Sequence, residues 1–375
     1  MHRDALVASL PVTLPDRAQF DWQVELPSEG LGGIAADHQH VIVGCRDLTN
    51  TQDVFVCLDA ATGIERWRHT YLAPGRLDYG ESSRATPLIV GDNVYLQGAF
   101  GDLHCLRIKT GELVWARNIV REFGAKLPIW GVCGSPLLAG QRLVAQPGAP
   151  AASVIALATD TGQQLWQSPG RPSGYASMIV ASLGGKNQVV GYDERSLGGW
   201  DPVTGQRLWE LVPETDGDFN VGTPLAVEGK LFVATENNGA RLYRFDKEGR
   251  IISEPVGQYE YFAPDMHTPV AVGHLVFGIH EQMVCLDTRQ NLELCWEQED
   301  DSFLRYASII GSVDGRLLVL SEQGDLLLVA ANDQQYRLLK RISLGTFETQ
   351  LLSHPAIVDR HLYVRLGTSI ARLSL

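Results

Sequence analysis

The chain has 375 residues, a formal net charge of −13 and 45% hydrophobic side chains. This hydrophobic fraction is ordinary for a folded protein and excludes a disordered chain. An acidic chain without a basic run repels a phosphate backbone, so we expect no nucleic-acid partner. The longest run free of glycine, charged and polar side chains spans residues 326–331. A membrane-spanning helix needs about 20 apolar residues, so we expect no membrane span.

Residues 1–19 are predicted to be an N-terminal arm. Their apolar stretch, residues 5–8, is shorter than the roughly 7–15 residues of a signal-peptide core, so we recognise no leader sequence. The sequence therefore does not assign the protein to a cellular compartment. Residues 20–25 read Phe-Asp-Trp-Gln-Val-Glu, which alternates in polarity and predicts a strand.

Two short sequence units then alternate along the rest of the chain. The first reads VCLDAATGIERW at 56–67 and recurs at 104–115, 155–166 and 198–209, with looser copies at 242–253 and 284–296. The second reads ATPLIVGDNVYL at 85–96 and recurs at 134–145, 222–234, 267–278 and 353–364. Degenerate copies of the second unit start near Gly33, Ser177 and Ser308, which brings its number to eight.

Both units are typical of β-hairpins, because short apolar runs flank turn-forming pairs that contain glycine or aspartate. Two hairpins in about 45 residues make one four-stranded propeller blade. The sequence therefore predicts an all-β fold in which residues 20–375 form a single eight-bladed β-propeller of antiparallel blades. We label the strands of each blade A to D from the axis outward.

The ends of the chain predict how the propeller closes. After the last A–B hairpin only one further strand fits, so that blade lacks its D strand. The strand at residues 20–25 resembles a D strand and carries Trp22 at the expected place. We expect it to complete the C-terminal blade, which leaves no open sheet edge between the ends.

Six of the eight tryptophans fall at the blade position of a D strand and are expected to pack between neighbouring sheets. They are Trp22, Trp67, Trp115, Trp166, Trp209 and Trp296. Trp200 replaces an apolar residue of a C strand, so packing explains it as well. Trp130 lies in a long connection that blade packing does not require.

The segment Cys57-Leu-Asp-Ala-Ala-Thr-Gly-Ile-Glu-Arg-Trp67 resembles the repeat of the pyrroloquinoline-quinone-like (PQQ-like) propeller family. The resemblance covers residues 20–375 and implies fold more than function. The family includes quinoprotein alcohol dehydrogenases, an outer-membrane assembly lipoprotein and many uncharacterised bacterial proteins, often of the periplasm or cell envelope.

The dehydrogenases of this family stack the quinone on two adjacent, disulfide-linked cysteines and hold calcium with Glu and Asn. This sequence has no Cys-Cys dipeptide. Glu236, Asn237 and Asn238 carry suitable oxygen ligands but do not align with the family's calcium motif. The assembly lipoprotein needs an acylated cysteine after a signal peptide, which we do not find. Binding of PQQ with calcium remains an alternative, although the adjacent-cysteine motif of the family's dehydrogenases is absent.

The D–A connections are long and irregular, and with the B–C connections they share the face on which we expect binding. Cationic, aromatic and polar residues that precede A strands are the predicted ligand-binding set: Arg84, Lys126, Trp130, Tyr175, Asn220, Arg305, Tyr306 and His354. Tyr79 and Asp265 are neighbouring candidates. Such groups around one axis suit a planar or anionic ligand.

A metal site is also conceivable on this face. His267 begins an A strand and His280 ends the B strand that pairs with it, with Asp265 and Glu281 beside them. Imidazole and carboxylate groups together form a site of nitrogen and oxygen ligands.

We therefore expect a monomeric binding or scaffold module with a small-ligand or protein site on the D–A face, and no catalysis. The first alternative is a PQQ-dependent dehydrogenase, and the second is a cell-envelope or outer-membrane protein assembly factor. No nucleophile–base–acid set is recognised. Among the six cysteines, Cys285 and Cys295 are expected to lie close together across a C–D hairpin.

Overall fold

The computed structural model describes residues 6–80 and 82–375. In these ranges, strands make up almost all of the regular structure. Two short strands precede the first repeat: β1 (Leu6–Val7) and β2 (Phe20–Glu25). From there the strands follow one another in groups of four.

Blade 1 consists of β3 (Ala35–Ala36), β4 (His40–Arg46), β5 (Gln52–Asp59) and β6 (Glu65–Leu72). Blade 2 consists of β7 (Leu88–Val90), β8 (Asn93–Gln97), β9 (Asp102–Arg107) and β10 (Leu113–Asn118). The helix α1 (Ile119–Phe123) follows β10. Blade 3 consists of β11 (Leu137–Ala139), β12 (Arg142–Ala145), β13 (Val154–Ala158) and β14 (Gln164–Ser168).

Blade 4 consists of β15 (Ile179–Leu183), β16 (Lys186–Tyr192), β17 (Leu197–Trp200) and β18 (Arg207–Leu211). Blade 5 consists of β19 (Leu225–Val227), β20 (Lys230–Thr235), β21 (Gly239–Tyr243) and β22 (Gly257–Tyr259). Blade 6 consists of β23 (Val270–Val272), β24 (Leu275–His280), β25 (Gln282–Asp287) and β26 (Glu293–Glu299), and a 3₁₀ turn (Asp301–Phe303) follows.

Blade 7 consists of β27 (Ala307–Ser312), β28 (Arg316–Ser321), β29 (Asp325–Ala330) and β30 (Leu338–Ser343). Blade 8 consists of β31 (Ala356–Val358), β32 (His361–Leu366), β33 (Ser369–Ser374) and the N-terminal β2. The fold is the predicted eight-bladed β-propeller of antiparallel, four-stranded blades.

The closure is also confirmed. Strand β2 pairs antiparallel with β33, with Trp22 opposite Arg372 and Val24 opposite Ile370. The N-terminal strand is therefore the outermost strand of the C-terminal blade. The preceding strand β1 was not predicted. It pairs in parallel with β27, through Leu6 opposite Gly311, and adds a fifth strand to blade 7.

One repeat was assigned wrongly from the sequence. The copy at residues 242–253 predicts a D strand near residue 250, but the D strand of blade 5 is β22, at Gly257–Tyr259. Ile251 forms only an isolated bridge with Phe245. The tryptophan that packs the D strand in six of the other blades is missing here, and the chain continues through a second turn before it pairs with β21.

The recurring Asp-x-x-Thr-Gly motif builds the C–D turn. In blade 1 the carboxylate Oδ1 of Asp59 accepts hydrogen bonds from the backbone N–H groups of Ala61 (3.0 Å) and Thr62 (2.9 Å). Gly63 follows with φ of 72°, a left-handed conformation that favours glycine. A bulge follows in the register of β5 and β6, between Cys57 and Leu58. Because of this bulge, Trp67 is the direct register partner of Cys57.

The blade tryptophans pack against the turn of the next blade, as predicted. The indole N–H of Trp67 donates to the carbonyl of Ile108 (2.6 Å), and that of Trp115 to the carbonyl of Thr159 (3.0 Å). A Cβ on Gly111 would lie 2.7 Å from the Trp67 ring, so the ring lies directly against the glycine. Trp200 is 1% exposed, which agrees with its predicted packing role.

The chain divides into two compact units of four blades. One contains Ala18–Ser173 and Phe347–Leu375, and therefore blades 1, 2, 3 and 8. The other contains Gly174–Thr346, and therefore blades 4 to 7, together with the described part of the N-terminal segment. Each unit has its own apolar clusters between adjacent blades. No helix within the described ranges is long and apolar enough to cross a membrane.

Candidate functional site

The first unit has a cavity of about 670 Å³ among its D–A and B–C loops. The predicted binding face is the face of these loops. Three D–A loops contribute to its wall through residues 28–31, residues 79, 80 and 82, and residues 348–353, and the B–C loops of blades 1 and 8 contribute residues near Arg46 and Arg365. Loops from three successive blade junctions therefore enclose a space large enough for several side chains of a ligand.

Two buried arginines line this cavity, and both hold backbone oxygens. Arg46 forms an ion pair with Asp53 (2.6 Å) and donates to the carbonyl of Ala73 (2.6 Å). Arg365 donates to the carbonyls of Gly44 (2.8 Å) and Ser28 (2.6 Å). Burial raises the pKa of Asp53, although Arg46 opposes the shift. The guanidinium groups are thus engaged in holding the loops.

The cavity also has three acidic residues on its lining: Glu29, Asp47 and Glu348. Glu29 and Glu348 are exposed. Arg46 is neutralised by Asp53, and the single positive charge of Arg365 is outnumbered by the three carboxylates, so the net charge of the lining is negative. The cavity therefore favours a basic group over an anionic one. This differs from the anionic ligand that the sequence analysis expects.

None of the eight predicted ligand residues lines the cavity, but Tyr79 does. Tyr79 is 78% exposed and its ring lies edge-on to Trp130, with ring centroids 6.1 Å apart. The guanidinium of Arg84 donates to the carbonyls of Asp78 (2.9 Å), Ser82 and Gly80. Arg84 therefore shapes the loop that presents Tyr79, and Trp130 lies beside that ring.

Two further predicted residues of the first unit lie elsewhere. Lys126 is exposed, in the loop that follows α1. His354 is half-buried, its carbonyl accepts a hydrogen bond from Ile34 N–H (3.0 Å), and burial lowers its pKa. Its backbone thus joins the starts of the A strands of blades 8 and 1.

In the second unit, Asn220 has a structural role. Its carbonyl accepts hydrogen bonds from the N–H groups of Tyr175 (3.1 Å) and Ala176 (2.7 Å), and its side chain donates to the carbonyl of Asp193 (3.1 Å). Its φ is 56°, which asparagine tolerates better than most residues. Asn220 and Tyr175 are therefore linked through the backbone.

Tyr306 and Arg305 lie next to the predicted metal residues. The ring of Tyr306 stacks on that of His267, with centroids 5.5 Å apart, and burial raises the pKa of Tyr306 to about 12. Arg305 is exposed and lies 3.8 Å from a carboxylate oxygen of Glu322.

The predicted pair His267 and His280 is brought together with Asp265. One ligand atom from each of the three lies within 4.8 Å of the others. We call Asp265, His267 and His280 the His–Asp cluster. Glu281 follows His280 with a φ of 61°.

Sequence reasoning missed Arg46 and Arg365, which hold the loops of the cavity. A signal for Arg46 exists in the polar residue that ends a mostly apolar B strand, whereas Arg365 is the last residue but one of β32. Arg46, Gln97, Thr235, His280 and Ser321 end β4, β8, β20, β24 and β28. These residues stand where the B strand enters the B–C loop, on the face that carries the cavity.

The residues present do not fit a bound PQQ. All six cysteines are free thiols, and no two are adjacent in sequence. In the Glu236-Asn237-Asn238 segment, Asn238 Oδ1 accepts from Thr215 N–H (2.9 Å) and Glu236 Oε1 accepts from Phe219 N–H, which leaves Glu236 Oε2 as the one buried oxygen of these two side chains without a partner. We derive no redox step through this group.

The comparisons agree with the fold. A family profile described as outer membrane protein assembly factor BamB matches residues 18–144 and 80–259, which together exceed half of the chain. The chain therefore belongs to this family of PQQ-like eight-bladed β-propellers. A search of curated proteins found no match.

Solved structures similar to the chain have diverse functions. BamB from Moraxella catarrhalis is 14% identical, with a TM-score of 0.65 over 96% of this chain and 100% of that one. A quinohemoprotein alcohol dehydrogenase from Comamonas testosteroni is 13% identical, with a TM-score of 0.66 over 95% and 76%. The computationally designed Ika8 protein is 11% identical, with a TM-score of 0.66 over 98% and 100%. At these identities the similarity shows the fold alone.

Proposed function

We propose that this chain is a binding scaffold that docks a polypeptide partner on its D–A loops. One observation carries the proposal. Within residues 6–80 and 82–375, the three exposed aromatic side chains, Tyr79, Phe219 and Tyr261, all lie in D–A loops. Exposed Ile129, Met266 and Leu304 lie in D–A loops too. Aromatic side chains and methionine are enriched where proteins bind proteins.

The charge of the cavity narrows the chemistry of the partner. Its acidic lining lies beside the exposed ring of Tyr79. A segment that places a lysine or arginine in the cavity and an apolar side chain against Tyr79 and Trp130 would satisfy both features. The family description, an assembly factor for outer-membrane proteins, is consistent with a polypeptide ligand.

Capture from a cell-envelope fraction tests this proposal with three proteins. They are the unmodified chain, a loop variant with Tyr79→Ser and Trp130→Ala, and a turn variant with Ile64→Ser and Val203→Ser. Ile64 and Val203 are exposed apolar residues of C–D turns, so the turn variant is a matched control. We expect a partner that the unmodified chain and the turn variant retain and the loop variant loses at least tenfold.

Melting curves of the three proteins accompany the capture. Because Tyr79 is exposed and Trp130 is half-buried, we expect the loop variant to melt close to the unmodified chain. Equal recovery with all three proteins, or no specific partner, would overturn the proposal. A loop variant that loses much of its stability would show instead that Trp130 is a structural plug.

The alternative hypothesis, that the chain is a PQQ-dependent dehydrogenase, predicts a different result. Addition of PQQ and Ca²⁺ to the purified chain, followed by gel filtration, measures whether a quinone chromophore stays bound. We expect none to remain, because the adjacent-cysteine platform is absent. A stoichiometric bound chromophore would overturn the scaffold proposal in favour of quinone-dependent oxidation.

A further inference from the structure

The His–Asp cluster lies where two connections of blade 6 meet. Asp265 and His267 belong to the loop that leads from β22 to β23, and His280 is the last residue of β24. Val270 is opposite Phe277 in the pairing of these strands, and the same register continued for three residues places His267 opposite His280. The hairpin itself therefore brings the two imidazoles together.

The three ligand atoms are close enough to share one ion. They lie within 4.8 Å of one another, and the ligands of a tetrahedral zinc ion with bonds of about 2.1 Å lie roughly 3.4 Å apart. Side-chain rotations that move each atom by about 1 Å close this difference. Asp265 is exposed and His280 is half-buried, so both have room for such a rotation.

His267 supplies a second, independent observation. It is 6% exposed, and its Nδ1 is buried without a hydrogen-bond partner. Its Nε2 lies 3.2 Å from the carbonyl of Arg305 and 3.3 Å from the N–H of Ala307. Because Nε2 is engaged by blade 7, Nδ1 is the nitrogen left for the cluster.

The two neutral tautomers of the His267 imidazole leave different atoms at the buried Nδ1 position, either a hydrogen without an acceptor or a free lone pair. If Nε2 accepts from Ala307 N–H, the hydrogen on Nδ1 is buried without an acceptor. If Nε2–H donates to the Arg305 carbonyl, the Nδ1 lone pair is free for a metal, and the carbonyl holds the ring in place. The second form is the usual arrangement of a metal-binding histidine. The Tyr306 ring, stacked on His267, further restricts the orientation of the imidazole.

Carboxylates lie on one side of the His–Asp cluster, and the neighbouring cation, Arg305, lies 3.8 Å from a carboxylate oxygen of Glu322. Glu236 has one carboxylate oxygen, Oε2, that is buried without a hydrogen-bond partner. Its charge interacts with those of Asp218 and Asp265. Asp218 itself accepts hydrogen bonds from Asn237 N–H (2.8 Å) and Asn238 Nδ2 (2.6 Å). Carboxylates on this side of the His–Asp cluster therefore attract a cation.

We propose that Asp265, His267 and His280 bind a divalent transition-metal ion of the zinc class, with at least one coordination position open to water or to a bound ligand. Two imidazole nitrogens and one carboxylate suit zinc, cobalt and nickel ions. Calcium and magnesium prefer oxygen ligands throughout, so the cluster discriminates against them. This site is independent of the polypeptide-docking proposal.

Titration calorimetry with Zn²⁺ on the full chain, stripped with a chelator, tests the site. We expect one bound ion per chain, no heat with 1 mM Ca²⁺ or Mg²⁺, and at least tenfold weaker binding in Asp265→Asn and in His280→Gln. His38→Gln is the matched control. His38 lies 3.4 Å from Asp359 and both are exposed, so it is a histidine–carboxylate pair without a second imidazole.

Co²⁺ supplies a readout that does not depend on heat. A visible d–d absorption should appear with the unmodified chain and the His38→Gln variant, and should be lost in His280→Gln. Asp265 and His280 are chosen because neither is fully buried, and circular dichroism verifies that both variants fold. Absence of Zn²⁺ binding, or equal affinity in folded Asp265→Asn, His280→Gln and His38→Gln, would overturn the proposal.

Discussion

Single glycines set the spacing between adjacent blades. In the C–D turns, Gly63, Gly111 and Gly162 all have positive φ. A Cβ added to any of them would lie under 3.0 Å from the tryptophan of the preceding blade. The glycine is therefore required twice, once for its backbone conformation and once because the indole occupies the space of a side chain.

These two requirements can be separated by experiment. Gly140 also has a positive φ (64°), but nothing lies within 4 Å of its would-be Cβ. We expect Gly140→Ala to cost about 1 kcal/mol of unfolding free energy through backbone strain alone. Gly111→Ala should cost a further 1–3 kcal/mol, roughly, because the methyl overlaps Trp67. Chemical denaturation of both variants measures the difference, and equal losses would show that the Trp67 contact is not tight.

A histidine pair makes blade packing sensitive to pH. His69 on β6 and His104 on β9 share a hydrogen bond (2.8 Å between Nε2 and Nδ1), and the Tyr71 ring lies 4.2 Å from that of His104. Burial, with the charge of His69, lowers the pKa of His104 to about 4. The buried pair is therefore held neutral in the folded state.

Because the folded pKa of His104 lies below the unfolded value of about 6.5, unfolding takes up a proton between these two values. We expect the stability contributed by this residue to be complete above pH 7 and to fall by up to about 3 kcal/mol as the pH drops to 4. His104→Gln should flatten the pH dependence of unfolding, whereas exposed His38→Gln should not. Parallel pH profiles for the unmodified chain and His104→Gln would contradict this expectation.

At the scale of the element, a β-bulge decides how the two cysteines of blade 6 meet. Cys285 on β25 pairs with Trp296 of β26, and the register shifts between Cys285 and Leu286. Cys295 is the extra residue of this bulge rather than the direct partner of Cys285. Cys295 is nevertheless next to the direct partner of Cys285 on the paired strand, and burial raises the pKa of both thiols. The predicted proximity is thus confirmed, by a different pairing.

We expect mild oxidation to join Cys285 and Cys295, which are neighbours in the strand register, and to leave Cys45, Cys57 and Cys105 reduced, because none of those three has a neighbouring cysteine in its register. The reaction should be slow at pH 7 and faster at pH 9, since few thiolates exist at neutral pH when the pKa is raised. Peptide mapping after differential alkylation measures the bond. A Cys295→Ser variant is the control, and oxidation that joins Cys285 to another cysteine would contradict the prediction.

At the scale of the whole molecule, the closure of blade 8 ties the two ends of the chain together. The side chain of Gln23 donates to Ser369 (2.8 Å), and the indole N–H of Trp22 donates to the carbonyl of Ala60 (3.2 Å) in blade 1. Leu26 N–H donates to the carbonyl of Thr368 (2.8 Å). Strand β2 therefore completes a blade whose other strands lie at the C-terminus.

Deletion of residues 1–26 should destabilise the protein by several kcal/mol, at least about 3, because it exposes the edge of β33 and removes Trp22 from the Gly63 turn. Deletion of residues 1–17 is the control, since it removes β1 but keeps β2. We expect a distinctly smaller fall in melting temperature for the control. If both truncated proteins melt like the intact chain, β2 does not stabilise the closure.

The sequence by itself determined the fold, because its period of about 45 residues repeats local signals. A typical C–D hairpin needs only short apolar runs, a Thr-Gly turn and a tryptophan, and an A–B hairpin needs short apolar runs around a tight turn, and all of these act within a few residues. The repeat count and the unpaired strand at residues 20–25 then predicted the closure. The prediction was wrong in blade 5, where the missing tryptophan removed the local signal.

The cavity and the environment of His267 were decided by the tertiary structure. Ser353 donates to the carbonyl of Gly30 (2.7 Å), and Arg365 to the carbonyl of Ser28, so residues more than 300 positions apart shape the same loops. The sequence identified Arg84 and Trp130 as residues of long loops, and His267 and His280 as residues at the ends of paired strands. Arg84 donates to carbonyls of its own loop, whereas the buried unpartnered nitrogen of His267 depends on contacts with Arg305 and Ala307, which are distant in the chain. Local sequence patterns carry no information about those contacts.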